Sequence, residues 1–103
     1  MKTEDAFALF EHEYDADDGL FTKFRMSDDV ETERLEHFLK ALTVLSEHYE
    51  GQTHVEKQMA HRVMSFRDTL SASASHWKVS RPEGLTIQMT TKLIIAFSHV
   101  FAG

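Results

Sequence analysis

The chain has 103 residues, no cysteine and one proline, and 42% of its residues are apolar, including eight phenylalanines. This length and composition predict one soluble domain over residues 1–103 with a single core. The lack of cysteine excludes disulfides, thiolate catalysis and cysteine-based metal sites. The chain has 11 Lys and Arg against 17 Asp and Glu, and this net charge of −6 disfavours nonspecific binding to nucleic acid or to an anionic membrane.

The N-terminus lacks the pattern of a secretory signal. Residues 1–5, MKTED, turn acidic where a signal peptide would become apolar. The longest apolar run, residues 93–97, is far shorter than the roughly 20 residues of a membrane helix. We therefore expect a cytoplasmic protein with no membrane contact.

The first third of the chain predicts one helix, a loop and a short helical turn. Phe7, Phe10 and Tyr14 recur at helical spacing, and Thr3 stands where an N-cap residue would accept backbone N–H bonds, so a helix is expected over residues 4–14. The sequence DADDG at residues 15–19 predicts a loop. The apolar residues within 20–26 predict a short helical turn that packs beneath the longer helices.

Two longer amphipathic helices are predicted in the middle of the chain. Asp28 and Glu31 have the spacing of a capping box and precede an apolar stripe that stops at Gly51, and Thr53 and Glu56 have the same spacing before a second stripe. A two-residue link would make these helices an antiparallel hairpin with facing stripes. The stripes consist of Leu35, Phe38, Leu39, Leu42, Leu45 and Tyr49 in the first helix, and Val55, Met59, Val63, Phe66 and Leu70 in the second.

The C-terminal third allows two structures. Residues 77–80 and 85–89 alternate apolar and polar side chains around a predicted tight turn at residues 81–84, which would give a short β-hairpin near residues 77–89. The helical period resumes toward the C-terminus, and an isolated hairpin is marginally stable in water, so a terminal helix over residues 86–101 is favoured. The predicted fold is therefore an all-α, single-domain bundle of about four main helices, with the hairpin as an alternative.

The spacing of polar residues predicts neither catalysis nor a cofactor. No two of the seven histidines lie three or four residues apart, as two metal ligands on one helix face would. Residues 15–19 do not match the register of a calcium loop, and the four glycines form neither a phosphate-binding loop nor a nucleophile elbow. The basic residues form no continuous stripe for nucleic acid; those considered are Lys57, Arg62, Arg67, Lys78 and Arg81.

The negative charge is concentrated in the first third of the chain. Residues 1–36 hold 12 Asp and Glu and 4 Lys and Arg, a net charge of −8, whereas residues 37–103 hold 5 and 7, a net charge of +2. A cationic partner would relieve the self-repulsion of such a surface and would be steered toward it. The predicted partner-binding residues are Glu11, Glu13, Asp15, Asp17, Asp18, Asp28, Asp29, Glu31 and Glu33. One or two apolar anchors are expected among Tyr14, Phe21, Phe24 and Met26.

In length, charge and helical organisation the whole chain resembles the small, acidic, cysteine-free helical immunity proteins that bacteria make beside polymorphic toxins, including those of contact-dependent growth inhibition systems. The most similar stretch is LFTKFRMS at residues 20–27, leading into Glu33-Arg34-Leu35. The resemblance implies a non-catalytic protein that covers the active site of a cognate basic toxin domain, often a nuclease, with carboxylates in place of nucleic-acid phosphates.

Two other functions remain open on the sequence. A helical homo-oligomeric regulatory or adaptor protein would use the apolar segment 93–101 as a self-association face. A metal-binding protein would need histidines from different helices to converge.

Overall fold

The computed structural model describes residues 1–77 and 80–102. Within these ranges the chain forms five α-helices and no β-strand. The helices are α1 (Thr3–Asp15), α2 (Leu20–Met26), α3 (Thr32–Tyr49), α4 (Lys57–Ala74) and α5 (Ile87–His99). The all-α fold with four main helices is confirmed, and α2 is the short helical turn predicted for residues 20–26.

Phe66 of α4 lies at the centre of the core. Its ring centroid is 5.5 Å from that of Phe10 on α1, 5.7 Å from Phe24 on α2, and 5.1 Å from both Phe38 on α3 and Phe97 on α5. One side chain therefore contacts all four other helices. The fully buried rings and the leucines around them form one continuous apolar cluster.

The helices form a ring around this core in the part of the chain that the structure describes. The close backbone neighbours of α3 are α1 and α5, those of α4 are α5 and α2, and α2 in turn packs against α1. The radius of gyration is 13.1 Å, close to the roughly 13 Å typical of a folded chain of about 100 residues.

The predicted hairpin of α3 and α4 is wrong. Seven residues, 50–56, connect these helices, and the ring order separates them, so that their apolar stripes meet only across the core. The α4 stripe also begins later than predicted, because Val55 lies in the connecting segment rather than in the helix.

None of the three predicted N-terminal caps forms. The N-cap residues of α1, α3 and α4 are Lys2, Glu31 and Glu56, and none of these side chains makes a capping hydrogen bond within the described residues. Thr3 is already inside α1. The start of α3 is displaced because Asp29 and Val30 form hydrogen bonds with Glu83, in a distant segment of the chain.

The β-hairpin alternative is also wrong where the structure describes it. Trp77 and residues 80–86 form no strand, residues 87–89 make the first turn of α5, and Lys78 and Val79 lie outside the described residues. The hydroxyl of Thr86 accepts a hydrogen bond from the Met89 backbone N–H at 3.0 Å and caps α5. The tight turn is displaced by one residue, with the Leu85 N–H donating to the Pro82 carbonyl at 3.2 Å and Gly84 at φ +87°.

Candidate functional site: an acidic interaction surface

Eight of the nine predicted partner-binding carboxylates are exposed. They lie on the C-terminal half of α1, in the turn that follows it, in the segment that leads into α3, and in the first turn of α3. We refer to these eight residues as the acidic surface. They are Glu11, Asp15, Asp17, Asp18, Asp28, Asp29, Glu31 and Glu33.

The ninth residue, Glu13, is not available to a partner because it is only 3% exposed. Its carboxylate accepts two hydrogen bonds from Arg34, at 3.0 Å from Nε to Oε2 and 2.6 Å from Nη2 to Oε1, and a third from the Leu20 backbone N–H at 3.2 Å. Arg34 Nη2 also donates to the carbonyl of Asp18 at 2.8 Å. We call this arrangement the Glu13–Arg34 clasp. It joins α1, the start of α2 and the first turn of α3.

The clasp keeps Arg34 charged and holds the turn that follows α1 in place. Hydrogen bonding to Glu13 raises the pKa of Arg34, and the charges of Glu13, Glu31 and Asp18 add to this effect, while partial burial opposes it. The guanidinium therefore stays charged, and its bond to the Asp18 carbonyl fixes the backbone of the turn that carries Asp17 and Asp18.

A second set of contacts fixes the other half of the acidic surface. The Val30 N–H donates to the Glu83 carbonyl at 2.9 Å, and the Glu83 N–H donates to Asp29 Oδ1 at 2.7 Å. A Cβ at Gly84 would overlap the carbonyl oxygen of Val30, so only glycine permits this close approach. Residues 29 and 30 are thus paired with a loop more than 50 residues away.

Ser27 and Trp77 continue this pairing on the α2 side. Ser27 has a left-handed backbone conformation with φ +56°, and its hydroxyl accepts a hydrogen bond from Trp77 Nε1 at 2.8 Å. The Arg81 guanidinium carbon lies 5.3 Å from the centre of the Trp77 ring, within the range of a cation–π contact.

The pairing brings an additional carboxylate to the acidic surface. Glu83 lines a shallow depression of about 270 Å³ together with Asp29, Val30, Glu31 and Thr32. Sequence reasoning missed Glu83 because it belongs to the C-terminal part of the chain, where the net charge is positive. The turn sequence RPEG marks a loop but does not indicate what the loop contacts.

The four candidate anchors differ in exposure. Phe24 is fully buried, and Tyr14 and Phe21 are half-buried and contact each other with ring centroids 4.8 Å apart. Met26, at the end of α2, is 62% exposed. Met26 is therefore the candidate whose side chain is most accessible to a partner.

Arg62, a second arginine beside the acidic surface, is also engaged within the fold. Arg62 Nη2 lies 3.7 Å from Asp15 Oδ2, and the Arg62 guanidinium carbon is 5.1 Å from the centre of the Tyr14 ring. Asp15 is thus partly neutralised, whereas the side chains of Asp17, Asp18 and Asp28 make no hydrogen bond or salt bridge to any other described residue.

The alternative functions find less support in the geometry. Within residues 1–77 and 80–102, no three His, Asp or Glu side chains are grouped so that they could hold a metal ion. Of the predicted self-association face, Leu93, Phe97 and Val100 are buried in the core, whereas Ile95 is 50% exposed. None of the helices in the described ranges combines the length and apolar character needed to cross a membrane.

Comparison of the chain with protein-family models, with curated proteins and with solved structures finds no match. The acidic surface is therefore the feature of the described residues that points to a function.

Proposed function

We propose that this protein is a non-catalytic immunity protein that binds and neutralises a cognate basic toxin domain, with a nuclease as the favoured target, through its acidic surface. The observation that supports the proposal is the exposure of eight of the nine predicted carboxylates within residues 11–33. The region from residue 1 to residue 36 has a net charge of −8. A surface of this kind attracts a cationic partner and increases the rate of association.

The fixed backbone beneath the acidic surface favours tight binding. The Glu13–Arg34 clasp holds the turn with Asp17 and Asp18, and the contacts of Asp29 with Glu83 hold the segment before α3. Because the backbone that carries these carboxylates is already held in place, less conformational entropy is lost when a partner binds. A nuclease groove that binds phosphates would accept carboxylates at similar positions.

The first experiment is a pull-down from source-cell lysate at low and high salt, with the bound proteins identified by mass spectrometry. The wild-type protein is compared with Asp17→Asn/Asp18→Asn and with the control Glu47→Gln/Glu50→Gln, which removes two exposed charges elsewhere. We expect one basic protein to be retained at low salt by the wild type and the control and to be reduced with the Asp17/Asp18 variant.

The retained protein is then purified, and its association rate with each variant is measured by surface plasmon resonance. The Asp17/Asp18 variant should associate about 5- to 10-fold more slowly at low ionic strength, and the difference should shrink as salt screens the charges. The wild-type protein should inhibit the enzymatic activity of the partner. Equal association rates for the Asp17/Asp18 variant and the Glu47/Glu50 control would contradict the proposal. A partner whose enzymatic activity is unaffected by the wild-type protein would also contradict it.

A further inference from the structure

A groove separates α1 from the N-terminal half of α4. In the ring of helices, α2 lies between α1 and α4, but its seven residues span only about 10 Å, against about 27 Å for the 18 residues of α4. Phe21 and Phe24 of α2 pack against Phe66 in the middle of α4. The gap toward the start of α4 is therefore left open, with a volume of about 220 Å³.

The floor of this groove is apolar and its rim is acidic. Phe7, Phe10 and Met59 provide the apolar surface, and the exposed carboxylates of Glu11 and Glu56 stand on the α1 and α4 sides. Glu11 also belongs to the acidic surface, so the groove is continuous with it.

Both rim carboxylates are exposed, and hydrogen bonds hold that of Glu56 in place. Glu56 Oε2 accepts a hydrogen bond from the Tyr49 hydroxyl at 2.9 Å, and hydrogen bonds from its own backbone N–H and from Tyr49 lower the pKa of Glu56 below its ordinary value. Arg62 also lines the groove, but its guanidinium lies against Asp15 and Tyr14. The charged residues that line the groove, Glu11, Glu56 and Arg62, give a net −1.

We propose that this groove receives a single arginine side chain presented by the cationic partner protein, an inference that rests on the proposed function. The aliphatic part of an arginine would cover the apolar floor, and its guanidinium would lie over the Phe7 ring between Glu11 and Glu56. A planar guanidinium both stacks on aromatic rings and binds carboxylates with two parallel hydrogen bonds, which an ammonium group does not. Arginine is also enriched among the residues that dominate binding at protein interfaces.

The test uses a capped peptide, Gly-Ser-Arg-Ser-Gly, and the same peptide with citrulline, which has the shape of arginine without its charge. NMR titration of the labelled protein should show saturable shifts of the Met59 methyl and Phe7 ring signals with the arginine peptide, with a dissociation constant in the millimolar range. The citrulline peptide should bind at least 5-fold more weakly. Lysine at the same position should bind more weakly than arginine.

A matched pair of variants keeps the test specific. Glu11→Gln/Glu56→Gln should weaken the arginine peptide about 10-fold, whereas Glu47→Gln/Glu50→Gln should change its affinity by less than 2-fold. The Gln side chain at position 56 can still accept the Tyr49 hydrogen bond, so the fold is expected to be retained. Shifts centred on residues 28–33, equal binding of the citrulline peptide, or no saturable shift would overturn the proposal.

The partner isolated by pull-down separates this inference from the proposed function. If the Asp17/Asp18 variant slows association and the Glu11/Glu56 variant binds the partner as the wild type does, the groove proposal fails and the proposed function stands. If the Asp17/Asp18 variant associates with the partner as fast as the Glu47/Glu50 control does, the proposed function fails, and with it the assignment of the arginine to that partner.

Discussion

Replacement of Arg34 by methionine should destabilise the protein by about 3 kcal/mol. The substitution removes the charge but keeps an unbranched apolar side chain, and it leaves the Glu13 carboxylate, whose side chain is only 4% exposed, without its ionic partner. Removal of one member of a fully buried ion pair costs about 3–5 kcal/mol. The Arg34 side chain is 26% exposed, so water can replace part of the lost interaction, and the lower end of this range applies.

Urea unfolding followed by circular dichroism at pH 7 measures this difference. The control is Arg67→Met, which removes an arginine from the more exposed pair of Arg67 with its sequence neighbour Asp68, and it should cost less than about 1 kcal/mol. In a double-mutant cycle with Glu13→Gln, the Glu13–Arg34 coupling should be about 1.5–3 kcal/mol. A cost for Arg34→Met equal to that of the control, or a coupling below about 0.5 kcal/mol, would refute the structural role of the clasp.

Three further changes test the core, the close approach at Gly84 and the Tyr49 hydrogen bond. Phe66→Ala should destabilise the protein by about 4–5 kcal/mol, because it opens a cavity where all the helices meet and removes several aromatic contacts. Gly84→Ala should cost more than about 2 kcal/mol, since the added methyl group meets the Val30 carbonyl and the left-handed conformation is strained; thermal unfolding measures both losses. Burial and the hydrogen bond to Glu56 raise the pKa of Tyr49 above its ordinary value. The protonated Tyr49 hydroxyl therefore contributes fully to the free energy of unfolding below about pH 10, and this contribution is lost as the pH rises further. Tyr49→Phe should therefore lose less stability than the wild type when urea unfolding is compared between pH 8 and pH 11.

Each of these changes has a matched control in the chain. Phe101→Ala removes a half-buried ring at the periphery and should cost clearly less than the change at Phe66. Gly51 has φ +76° but open space around it, so Gly51→Ala should cost about 1 kcal/mol from strain alone. Tyr14→Phe should leave the alkaline loss of stability in place. If a variant and its control change the stability equally, the structural explanation given for that variant is contradicted.

The helices could be predicted because apolar periodicity is a local property of the sequence. The spacing of Phe7 and Phe10, or of Leu93 and Phe97, places these side chains on one face whatever the rest of the chain does. The predicted α1 and α5 accordingly match the observed helices within a few residues at each end. The packing order could not be derived in the same way, because it depends on which stripes meet around Phe66.

The start of α3 shows how a distant contact overrides a local signal. Asp28 and Glu31 have the spacing of a capping box, yet the adjacent Asp29 carboxylate binds the Glu83 N–H and Val30 pairs with the Glu83 carbonyl. These contacts hold the segment in a non-helical conformation until Thr32, where α3 begins. A loop 54 residues away cannot be inferred from capping propensities.

The burial of Glu13 had a signal in the sequence that charge counting overlooked. Ala6, Phe10 and Glu13 follow one another at helical spacing on the buried face of α1, so a carboxylate in that row requires an internal partner. Arg34 directly precedes the buried Leu35 at the start of an amphipathic helix, which makes it a suitable partner. The number of acidic residues indicated an interaction surface, but their positions on the helix face determine which of them can take part.

The hydrogen bond between Trp77 and Ser27 provides an internal optical probe. Trp77 is the chain's single tryptophan, and its indole N–H binds the residue that directly precedes Asp28 and Asp29. Its fluorescence should therefore report on the segment that carries half of the acidic surface. A change in emission wavelength on addition of a partner would indicate movement at that segment, with no label attached to the protein.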